Sequence, residues 1–218
     1  MGRRNKSATR CWRCRMHVRS CVCAHVPEVD IDTRVVVVMH HREWHKTTAT
    51  APLMALAVPS CEIRLRGEEG VALNVEGLGD PGRQILLLFP ADDAEVLTAD
   101  LVASDPRPVT LVVPDGNWGQ ASRAVRREPA LRDLPRVVLP DLGPSRYKLR
   151  TEVREGGLAT YEAIARALGI LEGSALEAEL EGLFDAMVAA TLSTRRGGGL
   201  EGLSHQEEDG KSDRVDQT

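Results

Sequence analysis

Five short apolar runs, most of them unbroken by polar residues, constrain this chain more than any other feature. They read RVVVVMH (34–40), CEIRL (61–65), QILLLFP (84–90), VTLVVP (109–114) and PRVVLP (135–140). A strand with one wet face alternates apolar and polar side chains. A continuous Val, Ile or Leu run has both faces covered, as in a parallel sheet sheathed by helices. VALNVEG (71–77) is a weaker strand candidate. Between the runs lie helical patterns: TAPLMALAV, DDAEVLTADLVA, GQASRAVRREPAL and LATYEAIARALGI. A last helix is expected to start at Ser174, with Glu177 three residues on as its capping-box partner, and to run through LEAELEGLFDAMVAATL. Strands alternating with helices predict an α/β domain with a mostly parallel sheet and helices on both faces.

The 218 residues suit one domain with small appendages. We expect a basic N-terminal segment at 1–30, the α/β domain at 31–192 and a polar, Gly-rich tail at 193–218, too poor in apolar residues to order itself. Aromatic residues are only 3% of the chain, so the core must be Val, Leu, Ala and Ile, and any Trp or Tyr near polar groups stands out. No apolar run approaches the roughly 20 residues that span a bilayer. The opening MGRRNKSATRCWRCR has charge but no signal-peptide apolar region. The expectation is a cytoplasmic protein whose cysteines stay reduced. The net charge of −4 conceals an asymmetry: residues 1–27 hold seven Arg or Lys and no acid. That is a local basic footprint on an otherwise acidic chain, read either as a nucleic-acid contact or as a solvated tail.

Within that segment CWRCRMHVRSCVC places Cys11, Cys14, Cys21 and Cys23 in a C-x2-C-x6-C-x-C array. The first pair turns two thiolates to one side and the second can close a tetrahedron around zinc. Disulfides are disfavoured in a reducing compartment; an iron–sulfur cluster uses the same ligands. A four-thiolate zinc has no open position, so it would staple the segment rather than catalyse. His17 and His25 read as bystanders and Cys61 as a core residue. GLGDPG (77–82) spells a dinucleotide-binding pattern but is interrupted by Pro81 and followed by a strand, so it reads as a loop. HHREWH (40–45) lacks the helix and order of a zinc-protease motif and reads as a polar strand-end cluster.

Ligands of open parallel sheets bind outside the carboxyl ends of the strands. Three such ends carry unusual chemistry: MHHRE, PDGNW and PDLGPSRYKLR. Asp115 can cap the helix beginning near Asn117, or it can serve a site. Trp118 can anchor that helix in the core, or present a ring to a ligand.

Taken in order, the four-Cys array, MHHREWHKTTATAPL, LLLFPADDA, VVPDGNW, SRYKLR and LATYEA resemble the DTW-domain family, the tRNA-uridine aminocarboxypropyltransferases. The likeness covers roughly 11–169; Asn117 stands where the family's signature has Thr, Ala49 and Ala51 replace Asn and Gly, and His41 replaces Pro. The resemblance implies a SPOUT-related fold with a C-terminal knot. It also implies transfer of the 3-amino-3-carboxypropyl group of S-adenosylmethionine to N3 of a tRNA uridine, releasing methylthioadenosine. In that reading Asp115 is the general base for N3–H and Trp118 stacks on the base or the adenine. Pro90, Asp115, Ser145, Arg146 and Tyr147 hold the cofactor, with Arg146 on its carboxylate or alternatively on an RNA phosphate. His40, Glu43, Trp118, Lys148 and Arg150 meet the RNA, with Arg154 extending the positive edge. The alternatives are a zinc-stapled RNA-binding protein without catalysis and a methyltransferase using the same cofactor.

Overall fold

The computed structural model describes residues 9–140, 143–147, 149 and 157–195. Six strands form one sheet: β1 (Arg34–His40), β2 (Cys61–Arg66), β3 (Gln84–Leu88), β4 (Glu95–Val96), β5 (Val109–Asp115) and β6 (Arg136–Val138). Their order is β2-β1-β5-β3-β6-β4, and every adjacent pair is parallel. The apolar runs explain why. Successive side chains of a strand point to opposite faces, and β1 sends Val35, Val37 and Met39 into one core and Val36 and Val38 into a second. β5 does the same with Leu111 and Val113 against Val112, and β3 with Leu86 and Leu88 against Leu87. An alternating strand could fill only one of these cores.

The larger core is closed by α2 (Ala51–Ala57), α6 (Thr160–Glu172) and α7 (Ser174–Arg195), together with the four-cysteine segment. The smaller is closed by α4 (Trp118–Arg127) and α5 (Pro129–Arg132). Helices therefore cover both faces, as expected. Gly169 of α6 lets α7 approach closely: a Cβ there would meet the Glu177 side chain at 2.2 Å. The remaining α-helices among the described residues are α1 (His41–Trp44) and α3 (Ala99–Ala103).

Several expectations change. Residues 71–77 form no strand: Val71 and Val75 are exposed, and the segment leaves β2 through Gly67 and Gly70, both at positive φ. The expected helix at DDAEVLTADLVA begins only at α3, where the Thr98 hydroxyl accepts from Leu101 N; Glu95–Val96 before it pairs with β6 instead. GQASRAVRREPAL is two helices, because Pro129 forces Glu128 into an extended conformation (φ −87°, ψ 111°). HREW, expected to be non-helical, makes the single turn α1. Ser174 is the first residue of α7 itself, and α7 continues past the expected boundary at 192 to Arg195. The knot expected from the family resemblance falls between β6 and α6, where 141, 142, 148 and 150–156 lie outside the described residues. Lys148, Arg150 and Arg154 fall there too, as does the tail from 196 onward. Among the described residues, no helix is long and apolar enough to cross a membrane.

Candidate active site

In an all-parallel sheet the strands end along one edge, which gathers the polar residues that follow them. β5 reaches that edge at Asp115, in register with Met39 of β1. The next three residues make the turn into α4. Asn117 is the helix cap: its Oδ1 accepts from Gln120 N at 2.9 Å, and Gln120 Oε1 accepts from Asn117 N at 2.7 Å, a reciprocal capping box. Gly116 sits at φ 153°, and a Cβ there would lie 2.8 Å from the Gln120 side chain. Because Asn117 caps the helix, Asp115 does not.

Asp115 instead lines a cleft of about 50 Å³ with Glu43, Thr50, Gly116, Ala159 and Thr160. The Thr160 hydroxyl, at the first turn of α6, donates to Asp115 Oδ1. Glu43 is buried, and its Oε1 accepts from Lys46 Nζ at 2.7 Å. The cleft thus brings two carboxylates to the end of β5 and the turn after β1. Its volume admits a reacting group rather than a whole nucleoside.

Tyr147 also lines the cleft, and α6 fixes the loop 143–147 that carries it. Buried Glu162 accepts from Ser145 Oγ (2.7 Å), Arg146 N (2.6 Å) and Ala159 N (2.9 Å). One turn on, Arg166 donates to the carbonyls of Gly143 (3.1 Å) and Pro144 (3.0 Å). The Tyr147 ring is buried against Phe184, and its hydroxyl donates to Thr48 O at 2.9 Å. The Arg146 guanidinium turns away to α7, pairing with Glu181 (3.0 Å) and Asp185 (2.8 Å).

At the mouth of β3, Phe89 is buried and Pro90 exposed. The Trp118 ring stacks on Phe89 (centroids 5.3 Å, 15° between planes) and stays 51% exposed, which excludes the core-anchor role. His40 is not brought to the cleft. Its Nδ1 caps α1 by accepting from Arg42 N at 3.2 Å, and its ring lies beside Gly67 and His41. Burial, then the nearby charges of His41, Arg66 and Arg42, lower its pKa.

The four cysteines converge. Their sulfurs all lie within 4.8 Å of one another, with Cys11–Cys23 at 3.6 Å and Cys14–Cys21 at 3.7 Å. A tetrahedron of thiolates at the usual zinc–sulfur length has edges of about 3.8 Å, so the cluster can hold a metal ion. The Cys14 amide, then that of Arg13, brings the Cys11 thiol down to about 6. Burial and the neighbouring sulfurs push Cys23 up to about 12. A cation is what allows the fourth thiol to ionise among the others.

Sequence reasoning assigned no role to Thr160, Glu162 or Arg166, although LATYEA was among its motifs. The available signals were a Glu at the third helical position and an Arg four residues later on the same face.

A family model described as "DTW domain" matches residues 8–192. The protein named tRNA-uridine aminocarboxypropyltransferase 2 of Drosophila melanogaster is 34% identical over 179 residues, 78% of this chain and 68% of that protein. Those of the same name from Macaca fascicularis and Mus musculus are each 28% identical over 77% and 74% of this chain, which spans 58% and 56% of their lengths. No solved structure matches the chain at a significant level.

Proposed function

The chain belongs to the DTW domain family, and from that premise we propose that it is an enzyme that modifies tRNA, transferring the 3-amino-3-carboxypropyl group of S-adenosylmethionine to N3 of a uridine. The observation that carries the reading is the cleft itself, which pairs Asp115, held by Thr160, with Glu43 at the carboxyl edge of the sheet. The names of the relatives supply the reaction class.

The donor set fits the cofactor: a sulfonium and an ammonium are cations, and the cleft presents two carboxylates. When bound, S-adenosylmethionine supplies an electrophilic carbon next to its sulfonium. What the chain supplies is positioning and proton management. Uridine N3 is a poor nucleophile while it carries its proton, and Asp115 takes that proton, a role commonly worth 10²- to 10⁴-fold. Thr160 donates to Oδ1, which orients the carboxylate. Glu43, which also pairs with Lys46, would face the cationic end of the donor. Trp118 offers an exposed face on which an unpaired base stacks, worth about 1–3 kcal/mol, beside Pro90. The target uridine must be unpaired or flipped out, because N3 lies on its pairing edge. Ser145 and Tyr147 set the loop beside the cleft, and a SPOUT-like C-terminal knot forms part of this reading. The ion pairs of Arg146 with α7 favour a loop-fixing role over a clamp on the cofactor carboxylate. We assign zinc to Cys11, Cys14, Cys21 and Cys23, a staple that suits the cytoplasm.

The test is mass spectrometry of nucleosides from unmodified tRNA incubated with the protein and S-adenosylmethionine. Aminocarboxypropyl-uridine is the expected product. A methylated nucleoside would make it a methyltransferase instead, and no change an RNA-binding protein.

A further inference from the structure

A second and larger cavity, about 280 Å³, lies between the four-cysteine segment, the Thr-rich turn after α1 and helix α7. Its chemistry is opposite to that of the Asp115 cleft. Five basic side chains line it (Arg10, Arg15, His17, His45 and Lys46), and among its described lining residues there is no carboxylate. Hydroxyls come from the 47–50 turn and, on α7, from Thr191 and Thr194. Arg15 is built into the wall. It takes positive φ (61°) in the turn after Cys14, its guanidinium lies 4.4 Å from the Trp44 ring centroid, and its Nη2 donates to Trp44 O at 2.5 Å. Its Nη1 is buried with no hydrogen-bond partner. A buried guanidinium nitrogen left unpaired costs free energy, and the Arg15 side chain is part of the cavity lining.

The two cavities are neighbours. Thr48, Ala49, Thr50 and Tyr147 line both, and the Tyr147–Thr48 hydrogen bond lies in the shared wall. Lys46 lines the basic cavity while its ammonium pairs with Glu43 of the acidic cleft. We propose that the basic cavity is a phosphate pocket that seats an RNA nucleotide flanking the target uridine, with Arg15 and Arg10 on its phosphodiester. The volume is near the lower end of small-molecule sites, and a cationic lining repels a sulfonium donor while attracting a phosphodiester. This inference rests on the reading of tRNA as substrate.

The experiment measures affinity of the full, zinc-loaded chain for a labelled unmodified tRNA transcript over a range of salt, with S-adenosylmethionine affinity as a parallel calorimetric readout. Arg15→Gln should weaken tRNA binding about tenfold and lower the salt slope by about one. Thr191→Glu places a carboxylate in the pocket without touching the cysteine turn. It should weaken tRNA binding to a similar degree, which keeps the test open if Arg15→Gln loses zinc. Donor affinity should stay within about twofold in both. Unchanged tRNA affinity in zinc-replete, folded variants overturns the pocket, and so does a loss confined to donor affinity. Binding is read without turnover, so a wild-type chain that makes no modified uridine while its variants lose tRNA affinity sinks the transfer reading and leaves the pocket standing.

Discussion

The Thr160 hydroxyl donates to Oδ1 of Asp115, joining the first turn of α6 to the end of β5 across 45 residues of sequence. A short polar side chain bonded to one oxygen of a carboxylate fixes the orientation of the whole group. The bond therefore bears directly on how the proposed base is aimed.

Replacing Asp115 with Asn retains an acceptor for Thr160 and removes the basic oxygen. Since Asn117 and Gln120 cap α4, the fold should not suffer. Turnover by Asp115→Asn should fall by about 10²- to 10⁴-fold with Tm nearly unchanged, read by nucleoside mass spectrometry and thermal melting. Thr160→Val should give a smaller fall in kcat and a shifted pH–rate profile. A fully active Asp115→Asn removes this residue from the mechanism.

Glu162→Gln should act on the loop rather than on chemistry. The carboxylate accepts three hydrogen bonds from Ser145, Arg146 and Ala159, and an amide must turn a donor toward one of them. Leaving buried donors unsatisfied costs about 1–3 kcal/mol. We expect lower stability in urea melts and a raised KM for the donor.

Removing the metal should loosen the N-terminal segment and spare the sheet. Cys14→Ser, or chelation of the wild type, should abolish zinc binding by elemental analysis. It should weaken tRNA binding and leave the far-ultraviolet circular dichroism of the α/β core largely intact. Loss of the whole fold would mean that the cluster nucleates the domain.

His40 predicts an acid weakness. Its pKa is lowered in the folded chain, first by burial and then by the nearby charges of His41, Arg66 and Arg42, so the unfolded chain binds the proton at a higher pH than the folded one. Stability must then decline as pH falls through the ordinary value near 6.5 and further below it. Protonation also removes the lone pair that caps α1. His40→Asn, which keeps a capping acceptor without titrating, should flatten the dependence of Tm on pH between about 7 and 5.

The strands were legible because burial on both faces writes itself as an uninterrupted Val or Leu run, as in 34–40. The failure at 71–77 has the converse cause: apolar residues alone do not make a strand when two glycines turn the chain away from the sheet edge. The four-cysteine array could be read directly because its ligands are close in sequence. Asp115 could be found but not interpreted, since the residue that caps α4 lies only two positions on. Glu162 was out of reach, because the groups it holds lie up to 17 residues back in a segment with no periodicity. Arg146 was found for its charge, yet its partners, Glu181 and Asp185, are set by the packing of α7.

The single direction of all six strands gives the molecule two unequal rims. At the starting rim Arg83 laces neighbouring segments together through Thr110, Val109 O and Asp32 O, and changes there tax stability alone. The finishing rim carries Asp115 at the last position of β5, with Glu43 and Trp118 on the helical turns just beyond the strands. Inheritance can therefore rewrite the chemistry along one rim without reopening the question of how the chain folds.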